Sequence, residues 1–295
     1  MKKHFYKTDT YLNKMVLPQG SAIIYERVFQ KNLQINEYHM KAGFTLYFQP
    51  PKNEEGLKSY CILSGEIQAL ESKESLSNGD LVVLNYKDEP FHFKVLSETR
   101  VLVHSINEDS FNTTKKTFEH IYHILSKIQE KDSYTSDHSY HVHDLVSNMG
   151  SALGYSGKRM LNLLLAAQFH DIGKINIPDH ILNKPDKLTE KEFIIMKSHV
   201  EEGKALILEF FSEDVYKIVA LHHERENGSG YPLGLKKDDI MEEAKILAIC
   251  DSYDAMISQR VYKKAKSKDE AVEELIAFKD ILFDGKLVDL FISLL

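Results

Sequence analysis

The chain has few cysteines and no long apolar run. Its 295 residues include two cysteines, Cys61 and Cys250, too few for a disulfide framework and typical of a reducing cytoplasm. No apolar stretch approaches the roughly 18 residues of a transmembrane span, and the lysine-containing start lacks the apolar centre of a signal peptide. We therefore expect a cytoplasmic protein that does not bind membranes.

The chain also lacks an excess of positive charge. Its formal net charge of −7 argues against binding a nucleic acid polymer, but a small anionic substrate is possible where Lys and Arg gather at one site. Hydrophobic residues make up 43 %, enough for a packed core, and the length allows two domains.

Residues 1–108 are predicted to form a β domain. Short apolar stretches separated by turn signals recur about every ten residues, which is typical of a sandwich or barrel. These stretches are residues 44–48, 59–63, 66–70, 81–84, 91–95 and 101–104.

Residues 40–106 resemble the cupin fold. The resemblance rests on residues 63–67 (LSGEI) and residues 78–83 (NGDLVV). The strand that would carry the metal histidines of that family reads Lys58-Ser59-Tyr60, and His92 and His104 are isolated. We therefore expect a cupin-like domain without a metal, either a sensory domain for an unknown small ligand or a domain with a structural role.

Residues 109–133 predict one linking helix. Phe118, Ile121, Leu125 and Ile128 recur at heptad-like spacing. Two heptads leave two alternatives open: packing on a domain of the same chain, or the seam of a homodimer.

Residues 170–174 (HDIGK) combine an imidazole, a carboxylate and an ammonium. The preceding residues 159–169 (RMLNLLLAAQF) are apolar and favour a buried helix, which we expect the pentapeptide to end. On a helix, His170, Asp171 and Lys174 face one site. His170 and Asp171 suit a metal ion, and Lys174 suits an anion bound to it.

Further histidines and an aspartate recur at intervals that each fit one helix plus a connection. They are His138, His199, His222, His223 and Asp251. Side chains on successive helices can converge in a bundle core, as in di-metal bundle proteins. Imidazoles and carboxylates without a thiolate favour Fe or Mn over structural zinc.

Ordered motifs continue along this half of the chain. They are residues 134–135 (YT), 138–139 (HS), 170–174 (HDIGK), 177–179 (IPD), 181–182 (IL), 184–185 (KP), 188–189 (LT), 222–224 (HHE), 230–232 (GYP), 251–255 (DSYDA), 260–263 (RVYK) and 283–284 (FD). Over about residues 118–292 the chain resembles the HD-GYP family, a branch of the HD-domain metal-dependent phosphohydrolases. The fold class implied is an α+β two-domain chain: the cupin-like β-sandwich (1–108), the linking helix (109–133) and an all-α HD-GYP bundle (134–295).

The resemblance implies hydrolysis of cyclic di-GMP to linear pGpG, to GMP or to both, at a centre of two or three divalent ions. Because the N-terminal domain lacks metal histidines and the downstream motifs are intact, we expect that domain to regulate the hydrolase. One ion would be held by His138, His170, Asp171 and Asp251, and the other by Asp171, His199, His222 and His223. Asp171 would bridge the two. The catalytic residues would be Asp171 and Lys174.

Substrate contacts follow from the same resemblance. Lys174 would neutralise phosphate charge, Arg260 and Lys263 would clamp a phosphate, and Tyr231 would stack on a guanine. Asp254, one turn from Asp251, would hold a ligand or water. Glu224 is assigned no site role, and His141 and His143 are expected to be solvent-facing or structural.

The chain departs from the family pattern at informative positions. Tyr134 stands where members with three metals carry Glu, so we expect two metals. Asn227 replaces a usual Asp, which keeps another cyclic dinucleotide, such as cyclic GMP-AMP, open as the substrate. A further alternative is a cyclic-dinucleotide receptor with little turnover.

Overall fold

The computed structural model describes residues 10–17, 20–30, 32–106, 111–131, 135–258 and 265–295. Contacts divide the chain into two units. The first is built from the described residues up to Tyr122 with Tyr155–Lys158, and the second from His123–Gly154 with Arg159–Leu295. The described strands of the two sheets lie in the first unit, and the second is helical, which confirms the predicted α+β class. The narrower limits 1–108, 109–133 and 134–295 stay predictions.

The first unit contains two antiparallel sheets. One has the order β1-β2-β3-β10-β5-β8, and the other β4-β9-β6-β7. The strands are β1 (Asn13–Val16), β2 (Ala22–Gln30), β3 (Leu33–Met40), β4 (Thr45–Phe48), β5 (Leu57–Ser64), β6 (Glu66–Ala69), β7 (Ser75–Ser77), β8 (Leu81–Asn85), β9 (Phe91–Val95) and β10 (Thr99–Ile106).

Alternate residues of both sheets point into one shared core. Ile62 and Val101 lie opposite each other in the larger sheet, and Phe93 comes from the smaller one. The Phe48 ring stacks on Tyr60 with centroids 4.0 Å apart. Because the inward side chains of both sheets form one cluster, the unit is a two-sheet sandwich.

The sequence analysis missed β1, β2, β3 and β7. In β2 and β3 the apolar alternation is broken by Glu26, Arg27, Asn36 and Glu37. Glu37 is buried and accepts hydrogen bonds from Arg27 and Arg100. Burial acts to raise the pKa of Glu37, but hydrogen bonds from Arg100, His39 and Arg27 lower it to about 2. Charged residues thus belong to these strands because they satisfy one another.

The helices follow in order. They are α1 (Phe111–Lys131), α2 (Thr135–Ala152), α3 (Gly157–Phe169), α4 (Asp179–Leu182), α5 (Glu190–Lys197), α6 (His199–Glu202), α7 (Lys204–Phe210), α8 (Glu213–Leu221), α9 (Glu242–Ile257), α10 (Lys268–Ala277) and α11 (Gly285–Ser293), with 3-10 helices at Ile172–Asn176 and Lys237–Asp239.

Helix α9 is the centre of the helical unit. It packs on α2, α8, α10 and α11. Its apolar side chains are buried on all sides, and Cys250 among them is fully buried. A helix that is apolar all round has to be enclosed by other helices, and this positions Asp251 inside the bundle.

Helix α1 corresponds to the predicted linking helix. Ile124 and Ile128 are buried on one of its faces. The side chains of Phe118 and Leu125, like residues 109–110 and 132–133, lie outside the described part. No helix of the described residues is both long enough and apolar enough to cross a membrane.

The expectation that residues 170–174 end an α-helix is wrong in detail. Helix α3 ends at Phe169, His170 and Asp171 form a turn, and Lys174 lies in a 3-10 helix. Gly173 passes so close to His199 that a Cβ there would overlap the His199 carbonyl oxygen. The tighter turn allows this approach between the two segments.

Candidate metal centre and active site

The seven predicted metal ligands come from five places in the helical unit. His138 lies in the first turn of α2, and His170 and Asp171 follow the end of α3. His199 begins α6, and His222 and His223 follow α8. Asp251 projects from the middle of α9. Helix ends bring most of these side chains to the interior.

The structure gathers six of these side chains into two clusters. The donor atoms of His138, His170 and Asp171 lie within 4.8 Å of one another, and so do those of His199, His222 and His223. Asp251 joins the first cluster, with its Oδ1 3.2 Å from His138 Nε2.

Asp171 lies between the two clusters. Its Oδ2 is 3.4 Å from His170 Nε2, and its Oδ1 is 3.7 Å from His199 Nε2. Each carboxylate oxygen therefore faces a different cluster, as a bridging ligand requires.

Three histidines are oriented in the same way. The Nδ1 atoms of His170, His199 and His222 donate to the carbonyl oxygen three residues earlier, at 2.8, 2.8 and 2.6 Å. A carbonyl only accepts, so Nδ1 carries the proton and Nε2 keeps its lone pair. Among the described residues, no side chain or backbone group forms a hydrogen bond to these buried Nε2 atoms. Unused, inward lone pairs of this kind fit a metal ion.

His138 is held by two carboxylates. Its Nδ1 lies 2.6 Å from Asp254 Oδ2, while Nε2 faces Asp251. Burial acts to lower the pKa of His138, but the hydrogen bonds to Asp251 and Asp254 raise it to about 9. Asp254 thus orients His138 from behind, the arrangement that commonly supports a histidine ligand.

The histidines predicted to be solvent-facing or structural differ from each other. The His141 side chain is 55 % exposed, with Nδ1 3.2 Å from Asp254. His143 is partly buried, and burial lowers its pKa to about 4.

The charges of the other donors suit a divalent ion. Burial acts to raise the pKa of Asp171, but Lys174 and His170 lower it well below its usual value. Burial lowers the pKa of His199, His222 and His223, and that of His222 falls to about 3. At neutral pH the site therefore offers an ionised carboxylate at Asp171 and neutral imidazoles at His199, His222 and His223, the donor forms that bind metals. The residues present therefore fit two adjacent metal ions.

Lys174 lies at the same place as Asp171. Its Nζ is 2.7 Å from Asp171 Oδ2, and its side chain is 16 % exposed. A positive charge thus stands beside the residue that links the clusters.

The loop that contains residues 230–232, called the GYP loop below, borders the second cluster, which is formed by His199, His222 and His223. The Tyr231 ring centroid is 4.6 Å from that of His223, and the Tyr231 N–H donates to the His223 carbonyl at 3.2 Å. Gly230 is so closely packed that a Cβ would overlap Arg225 N and the His223 carbonyl oxygen.

Glu224 is a positioning residue that the sequence analysis did not include. Its Oε1 accepts hydrogen bonds from the N–H groups of Leu233 and Gly234, and its Oε2 from that of Leu235. The side chain is buried and anchors the GYP loop to the end of α8. Its signal in the sequence is a carboxylate that precedes a glycine-rich loop with free amides.

Three predictions fall outside the described residues. Arg260 and Lys263 follow the end of α9, and Tyr134 precedes α2. Their assigned roles therefore stay predictions.

Comparison with known proteins agrees with this site. The family model described as HD domain matches residues 109–287. A cyclic di-GMP phosphodiesterase of Thermotoga maritima is 31 % identical over 287 residues, which are 96 % of this chain and 74 % of the relative. The cyclic di-GMP phosphodiesterase response regulator RpfG of Xanthomonas campestris is 36 % identical over 71 % of this chain and 55 % of its own.

A third relative acts on a different nucleotide. The 3'3'-cGAMP-specific phosphodiesterase 2 of Vibrio cholerae is 34 % identical over 59 % of this chain and 34 % of its own length. The family match covers more than half of the chain, and it includes all seven clustered side chains. The chain therefore belongs to the HD-domain family and carries the motifs of its HD-GYP branch.

Proposed function

We propose that this chain is a di-metal phosphodiesterase that hydrolyses cyclic di-GMP to linear pGpG, to GMP or to both. The observation that carries the proposal is Asp171, whose two oxygens face two separate clusters of donors. Relatives named as cyclic di-GMP phosphodiesterases support the choice of substrate.

His138, His170, Asp171 and Asp251 would hold one ion, and Asp171, His199, His222 and His223 the other. Two divalent ions, Fe or Mn for this donor set, would supply an activated water and neutralise phosphate charge. The reaction forms a bond from the water oxygen to phosphorus and breaks the bond to a ribose 3' oxygen, which leaves with a proton.

The chain's own residues orient the reaction. Lys174 adds a positive charge beside Asp171, where negative charge increases on the phosphate oxygens in the transition state. Asp254 holds His138, and Glu224 holds the loop that carries Tyr231. Arg260 and Lys263 are proposed to clamp a phosphate, from the family motif alone.

Hydrolysis of 3'3'-cyclic GMP-AMP is the second candidate. It is favoured by the Vibrio cholerae relative and by Asn227, which stands where the family usually has Asp. Asn227 Oδ1 accepts from the Ser229 N–H and shapes the loop that leads to Tyr231.

We propose that the N-terminal unit is a cupin-like sensory domain that regulates the hydrolase through α1. At one end of α1, Phe111 is buried against Met15 and Ile24 of the β unit. At the other end, Lys131 Nζ donates to the carbonyl oxygens of Ile175 and Ile177, at 2.8 and 2.6 Å. Those carbonyls directly follow Lys174, so a shift of α1 would act on the segment that carries Asp171 and Lys174.

The test is anaerobic purification with metal analysis, followed by turnover of cyclic di-GMP, 3'3'-cyclic GMP-AMP and cyclic di-AMP. We expect two Fe or Mn ions per chain and the highest kcat/KM for cyclic di-GMP. A higher kcat/KM for 3'3'-cyclic GMP-AMP would move the assignment to the second candidate. Tight binding without turnover in the metal-loaded protein would indicate a receptor.

A further inference from the structure

Lys197 is a positively charged residue near the cluster of His199, His222 and His223. It is not among the proposed metal ligands, and the proposed mechanism assigns it no role. It is the last residue of α5 and stands two positions before His199. Its Nζ lies 4.6 Å from the centroid of the Phe193 ring and 5.0 Å from that of Tyr231. Two aromatic rings thus hold this ammonium at the border of the second cluster.

The Tyr231 ring that contacts Lys197 is itself held in place by neighbouring residues. Tyr231 packs on His223, and its backbone N–H donates to the His223 carbonyl. Glu224 fixes the following residues of the same loop. Phe193 lies one helical turn before Lys197, so the helix itself keeps the second ring beside the ammonium.

The charge of Lys197 differs from that of Lys174 in one respect. Lys174 forms an ion pair with Asp171. In the described ranges, no carboxylate forms an ion pair with Lys197, whose recorded partners are the two rings. Aromatic faces hold a cation without neutralising it, so Lys197 keeps its charge for an anion.

We propose that Lys197 binds the second, non-reacting phosphate of the cyclic dinucleotide, and that Tyr231 and Phe193 position its ammonium. This inference rests on the proposed function. A cyclic dinucleotide carries two phosphodiesters, and only one of them reacts at the metal ions beside Lys174. The other is also an anion, and a cation held over the Tyr231 ring, which itself packs on His223, matches it.

A contact to the non-reacting phosphate is equally strong in the ground state and in the transition state. Its loss therefore raises KM and leaves kcat unchanged. For one charge-assisted hydrogen bond we expect Lys197→Met to raise KM for cyclic di-GMP roughly tenfold. Lys197→Arg keeps the charge and the ring contacts, and it should restore most of the affinity.

Phe193→Leu tests the ring contact. The variant removes one aromatic face from Lys197 and leaves Tyr231, which is proposed to stack on a guanine, in place. It should raise KM for cyclic di-GMP in the same direction as Lys197→Met, by a smaller factor because one of the two rings remains.

Lys204→Met is the matched control. Lys204 also lies over a tyrosine ring, Tyr216, at 5.2 Å, but it begins α7 and takes no part in the site described above. Its replacement removes one lysine charge that also lies over an aromatic ring and should leave both kcat and KM unchanged.

The decisive experiment compares two substrates on the metal-loaded full chain. Bis(p-nitrophenyl) phosphate has one phosphodiester and no second phosphate, so its KM should be the same for the wild type and Lys197→Met. Only cyclic di-GMP should show the increase in KM. An increase for both substrates would mean a general distortion near His199, and no increase for either would mean a packing lysine; both results overturn the inference.

The wild-type protein reports on the function separately. If it binds cyclic di-GMP without turnover, the hydrolase proposal fails, and the dissociation constants of the wild type and Lys197→Met decide on Lys197 alone. If the metal-loaded wild type neither binds nor hydrolyses a cyclic dinucleotide, both proposals are wrong.

Discussion

Two groups of buried polar side chains, one around Glu37 in the β unit and one at three histidines of the helical unit, differ in their hydrogen bonding. In the β unit, the Glu37 carboxylate accepts hydrogen bonds from Arg27 and Arg100, and His39 lies 2.8 Å away. In the helical unit, the Nε2 atoms of His170, His199 and His222 are buried and have no hydrogen-bond partner among the described residues. A buried polar group without a partner destabilises a fold by about 1–3 kcal/mol. The hydrogen-bonded Glu37 carboxylate stabilises the β unit. The Nε2 atoms of the three histidines have no such partner among the described residues and are therefore available to bind a ligand.

Among changes that leave the metal content intact, the largest effect is expected for the positive charge of Lys174 beside the metal-ligand clusters. Lys174→Met should keep both metals and lower kcat by about 10²–10³, by analogy with the loss of one donor to a developing negative charge. Metal analysis and turnover measured on the same sample separate these two quantities. Loss of metal together with activity would show that Lys174 supports the ligands instead of the reaction.

The second prediction concerns the hydrogen bonds of Glu37 with Arg27 and Arg100 in the β unit. Glu37→Gln should lower the free energy of unfolding by about 2 kcal/mol at neutral pH, since charged hydrogen bonds to two arginines are lost. The pKa of Glu37 is depressed from 4.5 to about 2, so its contribution is present above pH 4.5 and disappears as the pH falls toward 2.

Urea unfolding of the wild type and Glu37→Gln across this pH range measures the difference. Exposed Glu54 is the control, and Glu54→Gln should have no effect. A difference between Glu37→Gln and the wild type that stays constant from pH 7 to pH 2 would contradict the assigned network.

A smaller effect is expected at the GYP loop. Glu224→Gln keeps one carbonyl acceptor but loses the charge that faces the amides of Leu233, Gly234 and Leu235. We expect kcat/KM for cyclic di-GMP to fall roughly tenfold with the metal content unchanged, since a weakened charged hydrogen bond amounts to about 1.4 kcal/mol. Faster cleavage of the loop by a protease should accompany this fall. Unchanged loop cleavage and unchanged kinetics would mean that Glu224 does not hold the loop.

The smallest effect is expected at the end of α1. Lys131→Met removes the donor to the Ile175 and Ile177 carbonyls and should lower kcat a few-fold, because about 1 kcal/mol of hydrogen bonding is lost. Lys127→Met changes an exposed lysine one turn earlier on the same helix and should leave kcat unchanged. Equal turnover of both variants would remove the support for regulation through α1.

The clusters of candidate metal ligands were easier to predict from the sequence than the hydrogen-bond network around Glu37. Metal ligands are restricted to a few residue types, and His170, His199 and Asp251 stand at intervals set by helix lengths. Glu37 and its arginines follow no such interval, because strand pairing brings Arg100 to Glu37 from far along the chain. Because polar side chains interrupt the apolar alternation in β2 and β3, these two strands of the larger sheet were not predicted from the sequence.

Other parts of the site had weak signals. Glu224 accepts hydrogen bonds from backbone amides, which every residue except proline offers, so no particular partner residue in the sequence marks its role. The 3-10 turn at Lys174 depends on the close approach of Gly173 to His199, which is a tertiary contact. The capping box of Thr189 and Glu192 at the start of α5, by contrast, depends only on residues three positions apart in the sequence.

The metal content of Asp171→Ala tests the central claim most directly. Asp186→Ala, in an exposed loop, serves as the control and should match the wild type. After anaerobic purification we expect two metal ions per chain in the wild type, and loss of metal from both positions with no measurable turnover in Asp171→Ala. If Asp171→Ala retained two metal ions and wild-type turnover, Asp171 would not bridge, and the proposed di-metal hydrolysis would be wrong.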